Sequence, residues 1–168
     1  TLFVDADVVG AADGLGWATA YNDLQAALDD AASRNSDEVA ENDVEQLWIA
    51  EGVYAPSKRL ESGDARSAAF SLADGVTLYG GFAGTETELA QRDWSVHETI
   101  LSGDIGTIDD AADNAYTVVY CGEDVTAALD GVTVTGGNAD GSYSSSYRER
   151  RYGGGVYNAG TLDLRNAV

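Results

Sequence analysis

At 168 residues and 17.5 kDa, with 44% hydrophobic and 23% charged residues, the chain has the apolar content for one domain with a core and is not a disordered polymer. Nine Lys plus Arg against 29 Asp plus Glu leave a net charge of −20, which phosphate backbones and anionic headgroups repel, and no run approaches the roughly 18–20 apolar residues of a membrane-spanning helix; nucleic acid and a helical membrane span are excluded. The single cysteine, Cys121, removes internal disulfides and zinc frameworks, and the absence of Met reads as a mature or excised piece, with any targeting signal it had already removed.

Leu2, Phe3 and Val4, leading into Asp5, Ala6 and Asp7, predict a short strand running into an acidic loop that Gly10, Asp13, Gly14 and Gly16 keep irregular. From Asn22 the apolar period becomes 3.6: Leu24, Ala27, Leu28 and Ala31 recur at helical spacing, with Asn22 and Gln25 three apart like a capping box. This predicts one amphipathic helix over 22–32, Ala-rich on its inner face, with Asp29 and Asp30 outward. Residues 1–46 thus read as strand, acidic loop and capping helix, and residues 47–168 as the body of the same domain.

The helical period does not return. Short apolar runs follow, bounded by glycine: 47–50, 70–72, 76–79, 99–101, 116–120, 127–129, 132–135, 156–157 and 162–164. Their length and their Val, Ile, Thr and Tyr content suit brief strands. Asp74-Gly75-Val76-Thr77-Leu78-Tyr79-Gly80-Gly81 recurs as Asp130-Gly131-Val132-Thr133-Val134-Thr135-Gly136-Gly137, identical at six of eight positions. The repeat predicts that the two segments occupy equivalent places in successive turns of a solenoid, each entered at Asp-Gly and left at Gly-Gly. The hairpin turns and strict alternation of a sandwich are missing. The fold expected is therefore mainly β: a right-handed parallel β-helix closed by the N-terminal helix, with about 20–28 residues per coil and roughly four or five coils.

The acidity has three readings: a solvated face, adaptation to high salt, or a calcium-rich setting. Asp5, Asp7 and Asp13 are the candidate Ca²⁺ ligands, set against a helix-capping turn, and Asp104, Asp109, Asp110 and Asp113 form a second acidic loop. No catalytic constellation emerges: Lys58 is the sole lysine, His97 the sole histidine, and Cys121 ends an apolar run. Residues 1–141 hold five basic and 27 acidic side chains, whereas 142–168 hold four Arg against Glu149 and Asp163. Within that tail Tyr143, Tyr147, Arg148, Arg150, Arg151 and Tyr152 have the composition of an interface or a sugar-binding surface. Three clustered Arg against an acidic body suggest head-to-tail contact between identical subunits. A loop between coils is the competing reading.

The order of motifs resembles the amino-terminal part of bacterial secreted proteins of the right-handed parallel β-helix repeat class, including choice-of-anchor surface proteins and, more distantly, polymorphic outer-membrane proteins. The resemblance rests on Phe3-Val4-Asp5-Ala6-Asp7, Asp23-Leu24-Gln25-Ala26-Ala27-Leu28, Trp48-Ile49-Ala50-Glu51-Gly52-Val53-Tyr54, Leu78-Tyr79-Gly80-Gly81-Phe82-Ala83-Gly84, Gln91-Arg92-Asp93-Trp94 and Thr99-Ile100-Leu101-Ser102-Gly103-Asp104. It implies an extracellular or cell-surface location and a structural or adhesive module; the open coil edges and the Tyr/Arg loop add the expectation of head-to-tail self-assembly into a filament. The alternative is the N-terminal part of a larger carbohydrate-active, polysaccharide lyase-like enzyme. The class is long, so further coils, from the same chain or a stacked copy, are expected beyond residue 168.

Overall fold

The computed structural model describes residues 1–9, 13–37, 39–142 and 147–168. In chain order the main elements are β1 (Leu2–Val4), α1 (Leu24–Asn35), β2 (Gln46–Ala50), β3 (Gly52–Tyr54), β4 (Phe70–Ser71), β5 (Thr77–Phe82), β6 (Thr99–Ser102), β7 (Val119–Cys121), β8 (Thr126–Asp130), β9 (Val132–Thr135), β10 (Val156–Asn158) and β11 (Thr161–Arg165). Every paired strand is parallel, and the strands form three sheets: β1-β2-β5-β8-β11, β3-β6-β9 and β4-β7-β10. From β2 onward the chain visits the first, second and third sheets in fixed rotation.

Period-2 alternation within each short strand sends one face inward. In the first sheet the register aligns Leu2, Leu47, Leu78, Leu129 and Leu164 in one ladder. The first four are fully buried; Leu164 is half exposed. Phe70, Val119 and Val156 form the matching ladder of the third sheet, and Tyr54, Leu101 and Val134 that of the second. The core lies between these ladders. Burying one such leucine contributes about 1.5–3 kcal/mol.

Helix α1 starts two residues and ends three residues later than the expected 22–32, and its cap is Asp23 rather than Asn22: the Asp23 side chain accepts from the Gln25 N–H at 2.8 Å. Gln25 is released from the capping role. It is buried, its Oε1 accepts the Ser71 N–H at 2.9 Å and its Nε2 donates to Asp29 at 2.8 Å, so the helix satisfies an outer-edge donor of β4. The outer edge of β1 is met in the same way. Phe3 N–H donates to the Gly14 carbonyl and Asp5 N–H to the Tyr21 carbonyl, while Tyr21 N–H donates back to Phe3. Two of the three sheets are thus sealed at the amino-terminal end.

The repeat is where the structure departs most from the expectation. Segment 77–82 lies in the first sheet and pairs with β8, whereas 132–135 lies in the second sheet and pairs with β6. The matching octapeptides are not structural equivalents. Gly80 and Gly81 do not end β5: they form a bulge, with Trp48 opposite Tyr79 but Ala50 opposite Phe82, and Gly81 takes φ +93°. The position stacked on Gly80 is Gly131, whose carbonyl lies where a Gly80 Cβ would sit. The circuits also exceed the expected coil: 31 residues from Leu47 to Leu78, 51 to Leu129 and 35 to Leu164, so residues 47–168 hold about three circuits. Long loops between the second and third sheets, and 16 residues between β5 and β6, account for the difference. Strand β3, just past Gly52, falls outside the predicted runs.

Candidate functional site

The loops between the second and third sheets share one flank of the molecule, and their cohesion comes from arginine. Arg66, between β3 and β4, donates from Nε to the Asn114 carbonyl at 2.6 Å and from Nη2 to the Asn138 carbonyl at 3.0 Å and Asp140 Oδ1 at 2.6 Å. Its guanidinium lies 4.3 Å from the centre of the Tyr116 ring. One side chain therefore ties three successive loops together. In the passage between β5 and β6, Arg92 donates to the carbonyls of Gly80 and Asp130 at 3.1 Å and pairs with Asp130 Oδ2 at 2.9 Å, between Tyr79 and Trp94.

The Tyr/Arg segment of the tail docks on the same flank. Arg150 forms ion pairs with Glu61 and, at 3.0 Å, with Asp64, and lies 5.2 and 5.5 Å from the Tyr147 and Tyr116 ring centres. It is engaged within its own chain. Arg148, Arg151 and Tyr152 are exposed, and Arg151 borders a polar concavity of about 490 Å³ with Asp140 and Ser142. Tyr143 lies outside the described residues.

Beside Arg150 sits a residue that the sequence singled out only as a charge. Glu149 is 5% exposed, and its Oε1 has no hydrogen-bond partner among the described residues. With Leu60, Tyr120 and Tyr147 it lines a cavity of about 150 Å³. Desolvation holds its carboxyl above the usual carboxylate range, and burial, aided by the Glu149 charge, raises the Tyr120 phenol. Tyr120 is on the outer face of β7, in register with Tyr157, and the two rings stack at 5.7 Å. The one sequence signal for this site is an acid set among three arginines directly after Tyr147.

The remaining candidates are dispersed. Asp5 Oδ1 accepts the Asp7 N–H, while Asp13 Oδ1 accepts from Thr19 Oγ1 at 2.6 Å and the Leu15 N–H at 3.0 Å, contacts that hold the Asp13 carboxyl below its ordinary range. Among the described residues no three His, Cys, Asp or Glu side chains converge as a metal-holding group, and Asp104, Asp110 and Asp113 instead accept backbone N–H groups of their own loop. Asp109 supplies one of those N–H groups, to Asp104, from a left-handed backbone with φ +64°. Lys58 pairs with Asp29 at 2.7 Å, and His97 Nδ1 lies 3.0 Å from Glu51. Cys121 is fully buried, and desolvation pushes its thiol up. No described helix is long and apolar enough to cross a membrane. Comparison with known proteins leaves the chain to its own chemistry: no family model, no curated protein and no solved structure matches it.

Proposed function

We propose that the three sheets form one right-handed parallel β-helix and that the chain is a structural or adhesive module of the cell surface or extracellular space, not a catalyst. The observation that carries this reading is the fixed rotation through three parallel sheets around a leucine ladder, a design that makes a stiff scaffold with long loops on one flank. The hand follows from the general rule that crossovers between parallel strands are right-handed in about 98% of cases. Lys58, His97 and Arg150 support the same reading, because Lys58 and Arg150 are engaged in ion pairs and His97 Nδ1 lies within hydrogen-bond distance of Glu51, contacts that tie loops to the body. A second copy of the chain is the proposed partner. The occupied outer edges of β1 and β4 favour contact through loops and outer faces over pairing of bare edges at the amino-terminal end.

Two measurements test the module. Antibody labelling of intact source cells should find the chain on the outside, and micrographs with sedimentation at micromolar concentration should find ordered assemblies. A purely internal location overturns the proposal. So does release of unsaturated uronate ends from an acidic polysaccharide by this chain alone, a result that favours the N-terminal part of a carbohydrate-active enzyme.

A further inference from the structure

A carboxyl group taken out of water with nothing to pair it costs several kcal/mol in its charged form, so proteins that keep one either hold it protonated or supply a cation. Glu149 is such a group: 5% exposed, without a partner at Oε1, and in none of the ion pairs formed among the described residues. It is not lost in packed core, because it lines a cavity. The other polar-tipped walls of that cavity are tyrosines. Aromatic faces attract cations, and one of the two already keeps such company: the Arg150 guanidinium lies 5.2 Å from the Tyr147 ring centre.

We propose that the Leu60–Tyr120–Tyr147–Glu149 cavity is a binding site for a small organic ammonium ion, with Glu149 as counter-ion and the two tyrosine rings as the walls that receive the alkyl groups. The size fits, since a cavity of about 150 Å³ takes one benzene-sized guest. A single carboxylate cannot supply the six or more oxygens that calcium takes, which separates this site from a hard-cation site. A neutral sugar would leave the carboxylate charge uncompensated. The net charge of −20 raises the local concentration of any cation around the molecule and speeds its arrival.

The test uses choline and its uncharged shape-mate 3,3-dimethylbutan-1-ol, titrated into the full chain in about 0.5 M NaCl, where diffuse attraction to the acidic surface is screened but a buried pair is not. Binding is followed by calorimetry and by the Tyr120 and Tyr147 ring resonances. Choline should saturate one site and shift both rings, the alcohol should bind at least about tenfold more weakly, and Glu149→Gln should lose choline by a similar factor while melting as a folded protein. Tyr147→Leu, at a half-buried position, gives the same reading should Glu149→Gln fail to fold. Absence of saturable choline binding, equal binding of the alcohol, displacement of choline by glucose, or undiminished binding by either variant overturns the proposal.

Discussion

Replacing Arg92 by alanine tests whether loops in this molecule are held by buried charge or merely lie on it. The Arg92 and Asp130 side chains are 9% and 10% exposed and meet at 2.9 Å, and the guanidinium also caps the carbonyls of Gly80 and Asp130. Alanine leaves the Asp130 carboxylate with Asn166 as its remaining side-chain partner, at 2.7 Å. Breaking a buried pair from one side costs about 3–5 kcal/mol, and the residual exposure places this one near the lower end, about 3 kcal/mol. At roughly 2–4 °C per kcal/mol for a domain of this size, the melting temperature should fall by roughly 6–12 °C. Urea unfolding should show a lower midpoint with an unchanged slope. The double variant Arg92→Met with Asp130→Asn, which removes both charges, should recover part of the loss. A penalty under about 1 kcal/mol, the range of an exposed ion pair, would refute the reasoning.

Three further outcomes follow from the geometry. Gly75→Ala and Gly131→Ala should differ although both glycines sit at φ near +75°: a Cβ on Gly75 meets nothing within 4 Å and costs about 1–2 kcal/mol for the backbone alone, whereas on Gly131 it meets Arg92 Nη1 at 2.8 Å and should cost more in thermal melts. Equal penalties would mean that the two Asp-Gly pairs are equivalent after all. Cys121 should resist a thiol reagent such as DTNB in the native chain and react stoichiometrically once urea unfolds it; rapid native labelling would contradict its burial. Glu149 has a raised folded-state pKa, so its contribution is fully present below the unfolded carboxylate range and is lost as pH rises through the folded value. Without ligand, Glu149→Gln should therefore gain stability at neutral pH and lose that gain in acid, and a pH-independent difference in melting temperature would count against the shift.

Much of the fold is legible in the sequence because it depends on local signals. Leu24, Ala27, Leu28 and Ala31 at helical spacing announce α1, and glycine-bounded runs such as 76–79 and 132–135 announce strands. What is not local is not legible. The two Asp-Gly octapeptides look interchangeable because both need a positive-φ glycine before a β-branched run, yet a rotation through three sheets offers that corner more than once per circuit. Circuit length was obscured for the same reason: loops of unlike length separate Leu47, Leu78, Leu129 and Leu164. The clamps were hidden by residue type, since an arginine in a loop, as at 66 or 92, reads as solvated surface until the carbonyls it reaches are brought beside it. Arg150 is the instructive case. Its charge suggested a partner molecule, and its partners Glu61 and Asp64 lie some 90 positions earlier in the same chain.

The three sheets do not share their corners evenly. Between the first and second sheets one residue suffices at Glu51 and again at Gly131, but the passage from β5 to β6 carries 16 residues, and each passage from the second sheet to the third carries a long excursion held by Arg66 to its neighbours. Chain length is therefore cheap at the excursions and rigidly counted at the one-residue corners. An insertion among the clamped excursions leaves every ladder as it was, but one added residue beside Glu51 or Gly131 turns the following strand inside out and sets its apolar row toward water. A lineage carrying this architecture can diversify what it displays on its excursions and must keep its arithmetic at the two tight corners.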